Sequence, residues 1–464
     1  PWRLEAGGRR APSMPPIEAA PAPGDPPVAS AALTRDEVAS RGDELLVVGS
    51  GVYSVKGLAE SHPGGEFFVR LFGGRDATTA FVQYHRRSFP AQRMSTHLVA
   101  PLSGEAVAED AELLELAAAV DTIIREAGGG FAPWTYYVKA GALLLAAVGL
   151  ELGMLVWGRN VLGSVVLGVL FACIGLNIQH DANHGALSRR PWVNTLFGLA
   201  QDWIGGSRLL WAHQHVVLHH IFTNHHSKDP DITADPLLKL RPMDATRPYH
   251  MWQHLYIFGV YMLFGVKVTL LAISELWDFR YCAVDISPAA RRYRAPALYA
   301  KLFFVLRFFA LPLAIRPVLH TMVCLAACLA AGGFWLGFFF ALSHNYEGVR
   351  FHDRDDGGAG YTQMQVETSS NVGGSWLCFM NGGLNYQVGR VGVGRRAPLA
   401  MAAPWQPPPL PDCSRVQRSP LGGRPGTQIE HHIFPRVHHG LYPRLQPIVR
   451  RFCEAKGWRY THFP

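Results

Sequence analysis

The sequence is poor in charged residues: Asp, Glu, Lys and Arg make up 17% of its 464 positions, against roughly 25% in ordinary soluble proteins. It also lacks a Cys-x-x-Cys pair, and its seven scattered cysteines do not form the framework of a disulfide-stapled secreted domain. What it has is apolar residues, 49% of the chain, with 11% aromatics, which excludes a chain that is disordered throughout. The formal charge of +8 indicates an anionic partner.

The N-terminal part divides by composition into three segments. Residues 1–30 are rich in Pro, Ala and Gly without apolar periodicity, so we expect a disordered tail, and residues 1–13, which precede Met14, are expected not to be native. Residues 31–104 have the mixed composition of a compact domain. Residues 105–132 alternate acidic and apolar residues at helical spacing, which predicts an amphipathic connector helix. Its apolar positions are Leu113, Leu114, Leu116, Val120, Ile123 and Ile124.

The remaining residues, 133–464, contain long apolar runs. Two of these, 136–157 and 161–178, are separated by a short turn, and each is about long enough to cross a ~30 Å hydrocarbon core at ~1.5 Å per residue. They predict a transmembrane hairpin. Three later runs are expected to supply two further spans and one surface helix: residues 255–277, 302–315 and 320–342.

Histidines cluster at the ends of these runs and near the C-terminus. The groups are His180 and His184; His215, His219 and His220; His344; and Gln428, His431 and His432. Residues four apart share one face of an α-helix, so the side chains of each pair with this spacing (180 and 184, 215 and 219, 428 and 432) are expected to point at one spot. His220 and His431 lie one position away from that face and could bracket a second metal. Imidazole suits iron, zinc and copper, and these rings outnumber the ligands of a single four-coordinate zinc. The pattern therefore predicts two metal ions.

The clusters can meet only if they lie on one side of the membrane. The predicted hairpin returns the chain to its starting side, and an even number of crossings between His220 and His344 keeps the last group on that side. Arg189, Arg190 and Arg208 follow the hairpin, whereas its turn has a single arginine. Because positive residues favour the cytoplasmic side, we expect the clusters there.

Other polar residues are expected to support the ligating rings. The pairs His225-His226 and His438-His439 lack the spacing of the clusters, so we expect them at the surface or around the site. A ligating imidazole usually donates its second ring N–H to a carboxylate or a carbonyl. Candidates for this role are Asp181, Asn183, Asp229, Asp231 and Glu430.

A second metal-binding pattern lies in the N-terminal domain. His62 is followed by Pro-Gly-Gly, a tight turn that can hold its imidazole outward, and His85 comes 23 residues later. Two histidines on different elements can occupy both faces of a haem, which then suits electron transfer. We therefore predict His62 and His85 as axial ligands of a haem, in a domain that resembles cytochrome b5.

With these motifs the chain resembles the membrane-bound acyl-lipid desaturases with three histidine boxes, over residues 30–387 and 429–464. The glutamine that opens the last box, and the fused cytochrome b5 domain, are typical of the front-end desaturases. The resemblance implies an N-terminal α+β cytochrome b5-like haem domain, followed by an all-α integral-membrane desaturase domain with four transmembrane helices and a cytosolic di-iron cap. The implied iron ligands are His180, His184, His215, His219, His220, His431 and His432, with His344 as a further ligand and Gln428, Gln387, Asn345 and Asp181 as ligands or their supports.

The resemblance also implies an activity. Segments 179–188, 201–206 and 365–374 are similar to microalgal Δ4 and Δ5 desaturases, and we favour Δ4 desaturation of docosapentaenoate to docosahexaenoate. The alternatives are a Δ5 or Δ6 acyl desaturase, a sphingoid-base desaturase or hydroxylase, and a membrane-anchored cytochrome b5-type electron carrier. A slot for the acyl chain is expected at Trp203, Trp211 and residues 338–340.

The implied cofactors are haem b and two non-haem iron ions, with O₂ as co-substrate. Expected partners are a phospholipid- or CoA-linked acyl chain, the lipid bilayer and NADH-cytochrome b5 reductase, and no nucleic acid. The haem domain and the boxes are expected on the cytosolic side of the endoplasmic reticulum, with a plastid membrane as the alternative.

The last box is interrupted. Family members continue directly from Gln387 to Ile429, whereas here residues 388–428 intervene, with eight prolines, six arginines and one acid. We interpret this segment as a retained intron, because it keeps the reading frame, any Val388 codon begins with GT, and a Gln428 codon can end in AG. This segment and residues 1–13 carry +7 of the net charge, so the basic character does not indicate a partner. Family members often continue further beyond the last box than this sequence does.

Overall fold

The computed structural model describes residues 31–352, 360–372 and 427–463. The predicted tail 1–30 and residues 388–426 of the predicted insertion lie outside these residues. Within them, an α+β region precedes a helical region, as the sequence predicts.

The N-terminal domain is built on a three-stranded antiparallel sheet in the order β1-β2-β3. Its elements are α1 (Arg35–Ser40), β1 (Leu45–Val48), β2 (Gly51–Ser54), α2 (Val55–Ser61), α3 (Glu66–Leu71), α4 (Thr78–His85) and β3 (Leu98–Pro101). Helix α1 begins at a capping box, in which Thr34 and Glu37 satisfy each other's backbone N–H groups. One core cluster joins α1 to the sheet through Val38, Leu45, Val47 and Val52.

Helix α5 (Ala111–Glu126) forms where the sequence predicts a connector. Asp110 accepts the backbone N–H of Leu113 at its N-terminus, which satisfies one of the free donors there. Of the predicted apolar positions, all but the partly buried Leu114 are buried. They pack on the C-terminal part of the chain, so α5 covers the helical region as well as leading into it.

Five helices in the described ranges are long and apolar enough to cross a membrane. They are Trp134–Trp157, Val161–Asn183, Pro248–Asp278, Pro288–Ile315 and Val318–Ala341. The first two form the predicted hairpin, and the last three contain the three later apolar runs. Exposed Leu and Trp side chains cover much of their surface, as expected for helices that face lipid.

In chain order, the helical region comprises α6 (Trp134–Trp157), α7 (Val161–Cys173), α8 (His180–Asn183), α9 (Pro191–Gly198), α10 (Ala200–Trp203), α11 (Arg208–Trp211), α12 (Gln253–Val266), α13 (Ala272–Asp278), β4 (Arg280–Tyr281), β5 (Val284–Asp285), α14 (Arg294–Val305), α15 (Leu311–Ile315), α16 (Val318–His344), α17 (Tyr361–Glu367), β6 (Asn371–Val372), α18 (Gln428–Ile433), α19 (Tyr442–Lys456) and β7 (His462–Phe463). Among the described residues, π-helical turns interrupt three of the long helices, at Ile174–Gln179, Lys267–Leu271 and Leu306–Ala310, and another, Ala212–His219, follows α11.

Small residues bring the long helices together. Gly168 of α7 lies against Gly332 of α16, and Gly265 of α12 lies against Gly333 of the same helix. A glycine lets two backbones approach closely, which is how helices associate where apolar surface alone gives no preference. Helix α16 is thus the central helix, and it ends at the histidine clusters.

Candidate metal centre

The first histidine pair lies at the end of the second long helix. The π-helical turn Ile174–Gln179 precedes α8, which starts at His180, and His184 follows its last residue. Both side chains are buried, and their ring centroids are 4.6 Å apart. The two rings therefore point at one spot, as the i, i+4 spacing predicts.

The second group departs from the expected α-helix. Residues Ala212–His219 are π-helical, with the N–H of His220 donating to the carbonyl of His215, five residues earlier. Because a π-helix brings residues five apart together, the Nε2 atoms of His215 and His220 lie 3.2 Å apart. His215 and His219 do lie together, as predicted, in a group of possible ligands that also includes Asp231. Their rings stack at 5.3 Å, but each joins a different group of histidines.

The third group and His344 complete two clusters. His431 joins the first cluster and His432 the second, at successive positions of α18. The first cluster is His180, His184, His215 and His431, and the second is His219, His344 and His432; within each, ligand atoms lie within 4.8 Å of one another. His220 lies between them, with its ring stacked on that of His432. That His220 and His431 bracket a second metal stays a prediction: their ring centroids lie 4.8 Å apart, and His431 also belongs to the first cluster.

The remaining predicted residues around the last box differ in whether they contact a cluster. The Nε2 of Gln428 lies 3.2 Å from the Nε2 of His344, so Gln428 touches the second cluster. The backbone N–H of Asn345 donates to Ala341, and its side-chain oxygen has no hydrogen-bond partner among the described residues. Gln387 lies outside the described residues.

The ring nitrogens have the arrangement that metal ligands need. Within the two clusters, five buried Nε2 atoms lack a hydrogen-bond partner among the described residues: those of His180, His184, His219, His431 and His432. Buried polar atoms are rarely left unpaired, so a group of them aimed at common points indicates a ligand. Imidazole donors suit iron, and two clusters fit two ions.

The opposite nitrogen of each ring is held in place. Nδ1 of His219 lies 3.1 Å from both carboxylate oxygens of Asp229, and Nδ1 of His432 lies 2.8 Å from Oε1 of Gln365. Such contacts fix which nitrogen faces the metal. Further Nδ1 contacts join His180 to Asp181, His184 to Tyr84, His344 to the Thr368 carbonyl and His431 to Tyr442.

Some of the predicted supporting residues contact the clustered histidines, and others do not. Asp181 contacts His180, His438 and His439, and Asp231 lies 3.3 Å from Nδ1 of His219. The pair His438-His439, of which His438 is buried, thus lies around the site. By contrast, the side chains of Asn183 and Glu430 hydrogen-bond to residues outside the histidine boxes. Asn183 contacts Gln179, Gly198 and Arg208, and Glu430 contacts Asn371 and Tyr460.

Sequence reasoning missed three supporting residues, Tyr84, Gln365 and Tyr442. Tyr84 is next to a predicted haem ligand, and Gln365 opens a segment that resembles the family, but neither position indicates contact with a histidine box. The only sequence signal for Tyr84 and Gln365 is their presence within those motifs, and Tyr442 lies in neither of them.

Electrostatics keeps most of the rings neutral. Burial lowers the pKa of His215, His220, His431 and His432 well below the usual value, and neighbouring rings lower it further. Burial acts in the same direction on His219, but the carboxylates of Asp229 and Asp231 outweigh it and raise its pKa. A neutral ring keeps the lone pair that a metal requires.

The predicted haem ligands face each other in the N-terminal domain. The rings of His62 and His85 are 5.9 Å apart between centroids. Nδ1 of His62 lies 2.9 Å from the Gly65 carbonyl, and Nδ1 of His85 lies 2.9 Å from that of Phe81. These contacts leave each Nε2 as the lone-pair nitrogen, and burial lowers the pKa of His85 to about 4. The donor set therefore fits a haem iron.

An apolar cavity of about 150 Å³ leads from the membrane helices to the clusters. Its inner end is formed by His180, His215, His344 and Gln428. Its walls include Phe171, Leu176, Ile204, Leu329 and Leu336. Of the aromatic residues expected in the slot, Trp211, Phe339 and Phe340 line it, whereas Trp203 stacks against the guanidinium of Arg307.

Comparisons with known proteins agree with this arrangement. The fatty acid desaturase model matches residues 155–389, and the model of the cytochrome b5-like haem/steroid-binding domain matches residues 34–105. The acyl-lipid (7-3)-desaturase of Rebecca salina is 46% identical over 94% of this chain and 90% of its own length. The acyl-lipid (7-3)-desaturase of Diacronema lutheri is 44% identical over 94% of this chain and 89% of its own length. A chloroplastic acyl-lipid (7-3)-desaturase of Chlamydomonas reinhardtii is 28% identical over 89% of this chain and 75% of its own length. The chain therefore belongs to the fatty acid desaturase family, as a front-end desaturase with an N-terminal cytochrome b5-like domain.

Proposed function

We propose that the protein is an acyl-lipid Δ4 desaturase that converts a docosapentaenoyl chain to docosahexaenoyl with O₂. The observation that carries this proposal is the similarity, at 46% and 44% identity over 94% of the chain, to two relatives named acyl-lipid (7-3)-desaturases. The (7-3) class corresponds to Δ4 front-end desaturation. The names also favour a lipid-linked over a CoA-linked substrate.

We propose that two iron ions bind at the two clusters. The first is held by His180, His184, His215 and His431, and the second by His219, His344 and His432, with His220 between them. When bound, such a centre supplies the O₂ chemistry that removes two hydrogens from adjacent carbons. The described residues hold the ligand rings, exclude water through their burial and present the acyl chain.

The apolar cavity is the proposed acyl slot. Its inner end touches both clusters through His180, His215 and His344, so a chain lying in it would bring a methylene group to them. When a double bond is introduced near the carboxyl end of the acyl chain, the long methyl-terminal part of that acyl chain must be accommodated in the slot. The glycines Gly168, Gly265, Gly332 and Gly333 line the cavity at the points where the helix backbones come into close contact.

We propose four membrane crossings, with the helix Pro248–Asp278 not crossing. The ring of Tyr261, near the middle of this helix, lies 6.4 Å from Phe338, close to the end of α16 that carries the clusters. Near the C-terminal end of the helix, Leu276 packs in one cluster with Leu71 of the haem domain. Because both contacts lie on the side of the clusters and the haem domain, the other four long helices supply the even number of crossings that the chain needs.

The proposed electron donor to the clusters is the haem of the N-terminal domain, which His62 and His85 would hold. The proposed source of its electrons is NADH-cytochrome b5 reductase. Tethering a donor raises its effective concentration to about the millimolar range.

We propose the endoplasmic reticulum as the location, with both sites on the cytosolic side. Imaging a fluorescent fusion beside a plastid marker would test the compartment.

Expression in yeast tests the function. Cells carrying the chain with and without residues 388–428 would receive defined polyunsaturated acids, and mass spectrometry would locate new double bonds. We expect docosahexaenoate from docosapentaenoate. The variant His431→Ala should abolish the product and keep the haem spectrum. New bonds only at Δ5 or Δ6, or in sphingoid bases, would refute the proposal, and a normal haem spectrum without any product would favour an electron carrier.

A further inference from the structure

Helix α4 of the haem domain contacts both the haem site and the clusters through three consecutive residues. His85 faces His62 at the haem site. The hydroxyl of Tyr84 lies 2.8 Å from Nδ1 of His184, and Nε2 of Gln83 donates to the carbonyl of His432 at 2.7 Å. One turn of helix thus joins the two redox sites directly.

The contact at His184 is of the kind that orients a metal ligand. A histidine that binds metal through Nε2 carries its hydrogen on Nδ1 and needs an acceptor for it. Nε2 of His184 is buried without a partner among the described residues, whereas Nδ1 faces the phenol oxygen. The partners of His219 and His432, in contrast, are Asp229 and Gln365 of the desaturase region.

The haem domain is held against the clusters firmly enough for this contact to be defined. Val82, which precedes Gln83, is buried in a cluster with Leu113, Ile429 and Phe434. On another face, Leu71 and Phe72 are buried with Leu209 and Leu276 of the helical region. The domain is therefore packed into the protein along two apolar surfaces, and the tether alone does not determine its position.

We propose that the haem domain is a structural part of the iron site, in which Tyr84 is a positioning residue that accepts the Nδ1–H of His184 and keeps its Nε2 directed at the first iron. This inference rests on the proposed binding of iron by the first cluster. The phenol makes no contact with the acyl cavity, so its contribution acts through the ligand and not through the substrate.

The variant Tyr84→Phe tests this inference, because it removes the hydroxyl and keeps the ring. The matched control is Tyr53→Phe, a buried tyrosine of the same domain that packs on Phe89 in the haem-domain core. Purified full-length proteins would be dialysed against graded concentrations of an iron chelator, and retained iron and haem would be measured together. Loss of a contact that orients a ligand typically lowers metal affinity or activity roughly 10- to 100-fold.

We expect Tyr84→Phe to release iron at a chelator concentration at least tenfold lower than the unaltered protein and the control, with an unchanged haem spectrum. Its kcat should fall while the KM for the acyl substrate stays the same. Iron retention equal to the control would overturn the inference. An unaltered protein without iron would instead overturn the proposed function, and loss of the haem spectrum in Tyr84→Phe would show a role in haem-domain folding and so refute the positioning role.

Discussion

The close approach of Gly168 to helix α16 allows a quantitative prediction for Gly168→Ala. A Cβ atom on Gly168 would clash with the Cys328 carbonyl and lie 3.0 Å from the backbone nitrogen of Gly332. Since non-bonded contacts are normally about 3.5–4.0 Å, α7 and α16 would have to separate by roughly 1 Å. Overpacking of this kind costs about 1–3 kcal/mol.

The functional effect should exceed the loss of stability. Helix α7 leads to His180 and α16 ends at His344, so a shift between these helices displaces ligands of the two clusters relative to each other. A misplacement of about 1 Å at a reacting centre can reduce the rate roughly 100-fold. We therefore expect Gly168→Ala to fold in the membrane, to lose thermal stability in detergent and to make about 100-fold less product.

Gly149→Ala in α6 is the matched control, because a Cβ there would meet nothing within 4 Å. It adds the same methyl group to a long apolar helix and should be neutral or slightly stabilising. Size-exclusion chromatography after heating gives the stability, and product formation in cells gives the activity. Equal stability and activity of the two variants would refute the idea that helix contact at Gly168 positions the site.

Three further outcomes follow from the structure. Gln365→Met, which removes the acceptor of the His432 Nδ1 hydrogen, should lower iron affinity roughly 10- to 100-fold in a chelator titration and leave the haem spectrum unchanged. His85→Ala should remove the haem absorbance of the purified protein while chelator-resistant iron remains, because the clusters have their own ligands. Leu116→Ala, which truncates a fully buried residue of α5, should destabilise the protein by about 2–5 kcal/mol in thermal unfolding.

Local patterns in the sequence predict those parts of the structure that are themselves local. The apolar stripe of α5 follows from its 3.6-residue period, because the same side chains that repeat along the helix must be buried on one face. The hairpin of α6 and α7 follows from run length. The convergence of the histidine groups follows from their positions at the ends of apolar runs.

The supporting contacts are not predictable in this way, because they join distant parts of the chain. Tyr84 and His184 are 100 residues apart, and Gln365 and His432 are 67 residues apart, so neither contact has a periodic signal. The sequence likewise does not predict whether the helix Pro248–Asp278 crosses the membrane. Its length and hydropathy match a membrane span, and the proposal that it does not cross rests on the contacts of Tyr261 and Leu276.

The second histidine box shows why a motif can predict ligands without predicting their geometry. In an α-helix, His215 and His219 would point at one metal, and His220 would be turned away from them. The π-helical turn changes this relation, so that His215 faces His220, while His219 lies with His344 and His432. Contacts from Asp229 and Asp231 to His219, and from Gln214 to Asp231, hold the turn in this form. A single short segment can therefore supply ligands to both clusters, which an undistorted helix with the same sequence would not do.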